Sequence, residues 1–229
     1  MLTLDGFRIV QGDFTLSADF AVPDGAHVAV IGPSGAGKST LLAAIAGFIA
    51  PASGRILWNG ADITGTDPGA RPLSIIFQDN NLFPHLTAFQ NVALGLKPGL
   101  RLSAEETGQA MQALHKTGLS GLEHRKPGAL SGGQQSRVAL ARTLVRHRPL
   151  MMLDEPFSAL GPGLKAEMLD LVADLATAIG ATVLMVTHDP ADAVQMAGQT
   201  VLVADGIAHP PKDTAALFAD PPPSLRAYL

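Results

Sequence analysis

A glycine-rich segment, residues 32–40, lies between an apolar run and a helix-forming run and constrains the fold more than any other part of the chain. Residues 28–31 before it are all apolar, and residues 41–45 after it are all Leu, Ala or Ile. A strand, a glycine-rich turn and a helix in this order are the setting of a phosphate-binding loop. The glycines let backbone N–H groups face a polyphosphate, and the helix presents its N-terminal donors to the same anion. The sequence therefore predicts an α/β domain that binds a nucleoside triphosphate.

Each residue of this segment is a candidate nucleotide contact. The candidates are Gly32, Pro33, Ser34, Gly35, Ala36, Gly37, Lys38, Ser39 and Thr40. Lys38 is expected to add its charge between the β- and γ-phosphates, and Ser39 is placed to hold Mg²⁺. Glycine-rich turns followed by lysine also occur as plain connections, but the full spacing in this setting favours nucleotide binding.

Composition narrows the class of protein. With 229 residues, 47% hydrophobic and 16% charged, the chain is expected to form one domain with a large core. The formal charge of -4 argues against a protein that coats nucleic acid, although a local basic patch stays possible. The absence of cysteine excludes disulfides and thiolate metal sites. The apolar run 41–52 is too short to cross a bilayer and no secretion signal is recognisable, so any membrane role is expected to be peripheral.

Apolar segments of two kinds predict two kinds of sheet. Segments near the N-terminus are expected to form an antiparallel β layer, and they are residues 2–10, 14–22 and 26–31, followed by a strand at 55–60. Three later segments are continuously apolar and end in a polar side chain, and they are residues 73–78, 150–154 and 183–188. Such segments are typical of parallel strands that are buried on both faces and carry ligands at their carboxyl ends.

Helix signals fill the regions between these strands. Ser103 and Glu106 form a capping box that predicts a helix to about residue 116. Apolar residues recur at helical spacing from residue 164 to 179, after Pro162 and before Gly180. Residues 80–147 are mostly helical in pattern, so we expect a helical subdomain there, inserted in a single domain that spans residues 1–229.

Two further segments carry chemistry. Asp154 ends an apolar strand and is expected to orient Mg²⁺ beside the phosphate loop. Glu155 follows it and is placed to act as the general base that polarises the attacking water. A second glycine pair precedes a helix-forming run and predicts a second anion-seeking helix N-terminus, and its residues are Ser131, Gly132, Gly133 and Gln134.

Together these segments resemble the ATP-binding cassette (ABC) family over nearly the whole chain. The matching positions are residues 32–40, Gln78, residues 130–134, residues 150–155, residues 158–160 and His188. The resemblance implies a P-loop NTPase fold with an ABC ATPase core, the N-terminal antiparallel layer and the helical subdomain. It also implies a head-to-tail homodimer in which ATP lies between the phosphate loop of one copy and residues 131–134 of the other. Gln78 would then contact Mg²⁺ or the attacking water, and His188 would contact the γ-phosphate.

The chain departs from the family pattern at two places. Gly161 stands where the family usually has aspartate, which removes a carboxylate from the expected dimer seam. Either this loss weakens hydrolysis, or Gly161 forms a left-handed turn before Pro162. The family usually stacks adenine on an aromatic residue, but residues 9–13 contain none, which leaves Phe14 or Phe7 as candidates.

Residues 77–87 resemble the segment of importer ATPases that receives a helix of a membrane subunit. Leu82 and Phe83 are the candidate contacts, and the alternative is a loop in which both are ordinary buried residues. Residues 91–100 are most similar to thiamine-import ATP-binding proteins, while polyamine, ferric-iron and oxyanion importers share most of this pattern.

The resemblance implies an ATP-hydrolysing motor subunit on the cytoplasmic face of the plasma (inner) membrane. Its partners would be a second copy, integral membrane permease subunits and, indirectly, a solute-binding protein, with no nucleic acid. Two other classes stay open, a non-transport ABC ATPase of DNA repair or translation and a nucleotide-binding module that has lost hydrolysis. The repair and translation classes usually carry long insertions or a second cassette, which this sequence lacks.

Overall fold

The computed structural model describes residues 1–226 and contains one mixed sheet with helices on its faces. The strands are β1 (Leu2–Gln11), β2 (Phe14–Val22), β3 (His27–Ile31), β4 (Ser53–Trp58), β5 (Ala61–Asp62), β6 (Leu73–Ile76), β7 (Leu150–Asp154), β8 (Thr182–Val186), β9 (Gln199–Ala204), β10 (Ile207–Ala208) and β11 (Lys212–Asp213). The α-helices are α1 (Lys38–Ala46), α2 (Ala88–Ala93), α3 (Ala104–Lys116), α4 (Gly132–Leu144), α5 (Pro162–Ile179), α6 (Pro190–Met196), α7 (Thr214–Ala219) and α8 (Pro223–Arg226). The strand order is β5-β4-β1-β2-β10-β9-β3-β8-β7-β6, and β11 also pairs with β9.

One half of the sheet is parallel and brings several polar loops to the same edge. β3 pairs in parallel with β8 and β9, and β7 pairs in parallel with β8 and β6. The prediction of parallel strands at 73–78, 150–154 and 183–188 is confirmed, but β6 ends at Ile76 and β8 at Val186. Gln78 and His188 therefore lie in the loops after these strands rather than on them.

The other half of the sheet is antiparallel. β1 pairs with β2 and β4, and β4 pairs with β5, all antiparallel, which confirms the predicted N-terminal layer. The prediction is wrong for residues 26–31, because β3 lies in the parallel half. Residues 28–31 are each at most 1% exposed, so this strand is buried on both faces, as central parallel strands are. Its continuous apolar run was the signal for this placement.

The predicted helices begin and end where their local signals lie. Ser103 Oγ accepts a hydrogen bond from the N–H of Glu106 at 3.2 Å, and the Glu106 carboxylate accepts one from the N–H of Ser103 at 2.7 Å. This capping box starts α3, and α5 ends at Gly180, whose φ is 66°. Both helix predictions are confirmed.

The helices between β6 and β7 share a core of their own. Residues of α2, α3 and α4 form one buried apolar cluster, which includes Val92, Leu114 and Val138. Leu82 packs against this cluster and also against the cluster beneath the parallel strands. We propose that residues 80–147 form the helical subdomain, an assignment that this separate cluster supports.

The sequence interpretation missed the elements after residue 188. β9 lies in the middle of the sheet between β3 and β10, and its residues 200–204 are buried. The apolar run before the turn at Asp205 and Gly206 was the available signal. Within residues 1–226, the structure contains no helix that is long and apolar enough to span a membrane.

Candidate nucleotide-binding site

The loop between β3 and α1 requires glycine at two positions because of close approaches. A Cβ atom on Gly32, whose φ is 152°, would lie 2.0 Å from the carbonyl oxygen of Val203. A Cβ atom on Gly37, whose φ is 103°, would lie 2.5 Å from Cζ of Phe14. The loop is thus held against β9 on one side and against an aromatic ring on the other, which shapes its backbone before any ligand binds.

Lys38 begins α1 and folds back over the loop. Its side chain is 8% exposed, and its ammonium donates hydrogen bonds to the carbonyl oxygens of Gly32 at 2.8 Å and Pro33 at 3.0 Å. Burial lowers the pKa of Lys38, and the charges of Glu155 and Asp154 oppose this shift. The site therefore holds a desolvated cation whose partners are mainly neutral carbonyls, which suits it to a bound anion.

Ser39 and Asp154 meet at the end of β7. Ser39 Oγ donates a hydrogen bond to Asp154 Oδ1 at 3.0 Å. Burial raises the pKa of Asp154, and the hydrogen bond from Ser39 opposes the rise. Hydroxyl and carboxylate oxygens are the ligands that Mg²⁺ prefers when phosphate and water complete its shell. The Ser39 hydroxyl and the Asp154 carboxylate therefore fit a Mg²⁺ site that phosphate and water would complete.

Glu155 is held in a conformation that non-glycine residues rarely adopt. Its φ is 46°, and its N–H donates to the carbonyl oxygen of Val186 at 3.1 Å. Its own carbonyl oxygen accepts from Ser158 Oγ at 3.1 Å. His188 Nδ1 lies 3.2 Å from Glu155 Oε2. The left-handed backbone of Glu155 is strained, and the surrounding contacts maintain it. Such strain is frequent in active sites.

These side chains surround one cavity of about 220 Å³ at the carboxyl edge of the parallel strands. The cavity is lined by Ser34, Gly35, Gly37, Lys38, Ser39, Thr40 and Glu155. Asp154 is hydrogen-bonded to the lining residue Ser39, and the ring of His188 is within hydrogen-bond distance of the lining residue Glu155. Gln78 is exposed beyond β6 at the same edge of the sheet but does not line this cavity.

The second glycine pair lies elsewhere in the chain. Ser131 Oγ accepts from the N–H of Gln134 at 3.3 Å, and Gln134 Oε1 accepts from the N–H of Ser131 at 3.0 Å, so this pair caps α4. A Cβ atom on Gly133 would lie 2.5 Å from a methyl group of Leu164, and Gly132 faces Leu160. Among residues 1–226, residues 131–134 do not line the cavity around Lys38.

An ion-pair network that the sequence interpretation missed supports the His188 loop. Lys165 Nζ on α5 lies 2.5 Å from Asp189 Oδ2 and 2.7 Å from Asp192 Oδ1, and Thr187 Oγ1 donates to Asp192 Oδ2 at 2.6 Å. Burial lowers the pKa of Lys165, but its hydrogen bonds to Asp189 and Asp192 outweigh this effect and raise it. The network thus holds the residues on both sides of His188.

Two sequence expectations near the site are wrong. Gly161 has φ −64° and ψ 156°, so it is extended and forms no left-handed turn before Pro162. Phe7 is 1% exposed in the core and is excluded as a stacking surface for a base. Phe14, whose ring lies against Gly37, is the aromatic residue next to the loop.

The family is decided by a match that covers more than half of the chain. A family model described as ABC transporter matches residues 16–158. The chain belongs to the ABC transporter family. This membership places the chain among ATP-binding, ATP-hydrolysing enzymes, and the prediction of an ABC ATPase is confirmed.

Relatives of this ABC ATPase cover its whole length. A thiamine import ATP-binding protein of Cereibacter sphaeroides is 62% identical over 229 residues, which is 100% of this chain and 99% of the relative. A protein of the same description from Ruegeria sp. is 54% identical, again over 100% of this chain and 99% of the relative.

Solved ABC structures share the fold. An ATP-binding cassette, described as a dimer in a post-hydrolysis state bound to ADP and phosphate, matches with a TM-score of 0.80 and 30% identity. The match covers 93% of this chain and 99% of that one, and a structure described as a dimeric bacterial ABC transporter cassette matches equally well. The predicted P-loop ABC ATPase fold is confirmed.

Proposed function

We propose that this ABC ATPase is the ATP-hydrolysing subunit of an importer for thiamine or its phosphates. The observation that carries the proposal is full-length similarity, 62% and 54% identity, to two thiamine import ATP-binding proteins. Both relatives are described as thiamine import proteins, which favours thiamine over a polyamine, ferric iron or an oxyanion. The subunit would lie peripherally on the cytoplasmic face of the plasma (inner) membrane.

ATP would occupy the cavity around the loop of residues 32–40. The N–H groups of the loop and of the first turn of α1 would bind the phosphates, and Lys38 would exchange its carbonyl partners for phosphate oxygens. Ser39 and Asp154, with Gln78 from the neighbouring loop, would hold Mg²⁺, which supplies charge neutralisation on the β- and γ-phosphates when bound. The proposal draws support from the hydrogen bond between Ser39 and Asp154.

Glu155 would act as the general base for water. Glu155 lines the cavity together with Lys38, and the charges of Glu155 and Asp154 both act on Lys38. His188 would hold Oε2 of Glu155 through Nδ1 and present its other ring nitrogen to the γ-phosphate. Glu155 would then take the proton of the attacking water while Lys38 stabilises the charge on the transferred phosphate.

A second copy of the chain would complete each site. The capped N-terminus of α4 does not reach the cavity of its own chain, so residues 131–134 would bind the nucleotide of a partner. Head-to-tail pairing of two copies would form two such sites. The similarity to cassettes described as dimers supports this homodimer.

Phe83 is the proposed contact with the permease. It is 47% exposed and lines an open cavity of about 320 Å³ together with Leu94, Arg142 and Arg146. Leu82 is partly buried against two apolar clusters, so it is less accessible than Phe83 to a permease. The permease, and through it a solute-binding protein, would therefore meet Phe83 and the walls of this cavity rather than Leu82.

Gly161 does not exclude hydrolysis by this ATPase. The extended backbone there leaves open space where the family usually has a carboxylate. The residues proposed for hydrolysis, Lys38, Asp154, Glu155 and His188, are all present at the cavity or bonded to its lining. This observation favours an active ATPase.

The test is reconstitution in proteoliposomes with the permease and solute-binding protein that co-purify with the chain. We expect thiamine to be taken up only with ATP inside, and ATP hydrolysis to rise with the thiamine-loaded binding protein. Glu155→Gln is the matched control, since it should bind ATP but support no uptake. Uptake of a polyamine, ferric iron or an oxyanion instead of thiamine would contradict the proposed solute, and a complex that does not hydrolyse ATP would contradict the proposed role as its ATP-hydrolysing subunit.

A further inference from the structure

The loop from Gln78 to Phe83 connects a proposed nucleotide contact to the proposed permease contact. Its two middle residues, Asn80 and Asn81, have φ of 55° and 45°, so two successive residues are left-handed. Asn tolerates this conformation better than most residues, but consecutive left-handed residues need external support. The Oδ1 atom of Asn80 is also buried without a hydrogen-bond partner. Within the turn, the N–H of Asn80 donates to the carbonyl oxygen of Phe77 at 2.9 Å and the N–H of Asn81 donates to that of Asp79 at 2.6 Å, but the carbonyl oxygens of Asn80 and Asn81 are bonded from outside the loop.

Support from outside the loop comes first from α4. On α4, Arg142 Nη1 donates to the carbonyl oxygen of Asn81 at 2.8 Å, and Arg142 Nη2 donates to that of Asn80 at 2.7 Å. Two turns earlier on the same helix, Ser136 Oγ accepts from Asn80 Nδ2 at 3.2 Å. The planar guanidinium thus bridges two consecutive carbonyls, which a lysine ammonium cannot reproduce with the same geometry.

The contact with the two loop carbonyls also stabilises the guanidinium of Arg142. Arg142 is half-buried, and no Asp or Glu of residues 1–226 forms an ion pair with it. Burial lowers its pKa, and the charge of Arg146 adds to this effect. A partly desolvated cation without a carboxylate depends on the dipoles of the carbonyls it contacts. The two carbonyls of the loop are those dipoles.

The far end of the loop is attached to a second helix of the same cluster. Asn91 of α2 is fully buried, accepts from the N–H of Phe83 at 2.8 Å and donates to the carbonyl oxygen of Phe83 at 3.1 Å. α2 and α4 share the apolar cluster that contains Val92 and Val138. From Asn80 onward the loop is thus bonded to helices, whereas Gln78 follows directly from the sheet.

We infer that Arg142 is a positioning residue that fixes the loop after Gln78 to α4, so that the loop and Phe83 follow any movement of that helix. The inference rests on the proposed roles of Gln78 and Phe83. α4 begins at residues 131–134, which are proposed to meet the partner's nucleotide. A shift of α4 on nucleotide binding would be carried through Arg142 to the loop, and from there to the permease contact.

The first measurement is amide hydrogen exchange of the full chain, because it detects the attachment without requiring any activity. In Arg142→Gln, exchange of residues 79–83 should accelerate about tenfold, while exchange in the middle of α4 stays unchanged. Arg142→Lys should lie between this variant and the wild type. The matched control is Arg146→Gln, which removes a neighbouring positive charge that lines the same cavity but bonds to neither carbonyl.

The second measurement separates positioning from a merely structural role. In Arg142→Gln, kcat for ATP should fall about tenfold while KM for ATP changes less than about twofold, because the phosphate loop is untouched. Arg142→Lys should recover part of kcat. If Arg142→Gln does not fold, Ser136→Ala and Arg142→Lys carry the same test, since each removes only part of the attachment.

The inference is overturned if loop exchange in a folded Arg142 variant equals that of the wild type, or if Arg146→Gln has the same effect. It is also overturned if the loop loosens while kcat stays unchanged, or if KM rises in proportion to the loss of kcat. A wild type without ATP hydrolysis would instead contradict the proposed function, and the exchange measurement would still decide whether Arg142 holds the loop.

Discussion

The two glycine-rich segments of this chain both precede a helix, but the first turns of the two helices are capped differently. At α1 the N-cap is Gly37, which makes no side-chain cap, so the N–H groups of the first turn stay available to an anion. At α4 the N-cap is Ser131, and its capping box with Gln134 already satisfies N–H groups. The first segment is therefore prepared to bind phosphate within one chain. In the second segment the capping box occupies the N–H groups of Ser131 and Gln134 and leaves those of the two glycines for the proposed nucleotide of a partner.

The largest expected effect tests whether the second segment needs a partner. Glu155→Gln should slow ATP hydrolysis by about 10²–10⁴-fold, because the general base is removed while the phosphate loop is kept. Light scattering with Mg²⁺ and ATP should then detect a trapped dimer. Adding Ser131→Arg to this variant should abolish the dimer but leave ATP bound to the monomer. If Glu155→Gln stays monomeric with ATP, the head-to-tail model fails for the isolated subunit.

The next effect tests whether the first segment acts alone. Lys38→Ala should weaken ATP binding by about 10²-fold, since it removes a charge-assisted contact from a desolvated site. Titration with a fluorescent ATP analogue measures this affinity in the monomer. Ser131→Ala serves as the control and should bind the analogue as the wild type does. Equal losses in both variants would show that the two segments form one site within a chain.

An effect of intermediate size concerns the folding stability that the protein loses when the buried Asp154 carboxyl ionises. Because burial raises the folded-state pKa of this carboxyl above its unfolded value, the free protein loses stability as pH rises through the window between the two values. At pH 8, Asp154→Asn should therefore melt at a higher temperature than the wild type without ligand. The difference should vanish below the unfolded carboxyl pKa, where both side chains are neutral.

Ligand should reverse this order. With Mg²⁺ and ATP, the wild type should gain more thermal stability than Asp154→Asn, because only the carboxylate contributes its charge to the metal. Calorimetry at two pH values with and without ligand measures both effects. If ligand-free Asp154→Asn melts at a lower temperature than the ligand-free wild type at pH 8, the ionised Asp154 carboxylate does not destabilise the free protein, and the prediction is wrong.

The smallest effect concerns Gly161, at the proposed interface between two copies of the chain. Because Gly161 is extended at the N-cap of α5 and a Cβ there meets no atom within 4 Å, Gly161→Asp should be tolerated and stabilise the fold by about 0.3 kcal/mol. If the missing carboxylate relays between two sites, this variant should also hydrolyse ATP faster than the wild type. Gly161→Asn is the matched control, since it caps the helix without charge. Equal rates in the two variants would assign any gain to capping alone.

Local signals predicted much of the fold correctly. The phosphate loop, the capping box at Ser103 and the limits of α5 depend on residues within a few positions of each other, so their patterns are visible in one sequence. The carboxyl ends of parallel strands also bring Ser39 and Asp154 together, and the pattern of apolar runs indicated that edge. The pairing of β3 was predicted wrongly because β3 was grouped with the strands next to it in the chain. Its burial on both faces, which is typical of central parallel strands, was the better indication.

The local motifs, and through their order the ABC family, can be identified from the amino-acid sequence. The packing of the folded chain decides which distant groups meet. Arg142 bonds carbonyls about 60 positions earlier in the chain, Glu155 reaches a ring nitrogen 33 positions later, and Phe14 lies against Gly37. No local periodicity encodes such contacts, because they arise only when strands and helices pack into one core. The same packing partly buries Leu82 and leaves Phe83 exposed, although the two residues are adjacent in the chain and both apolar.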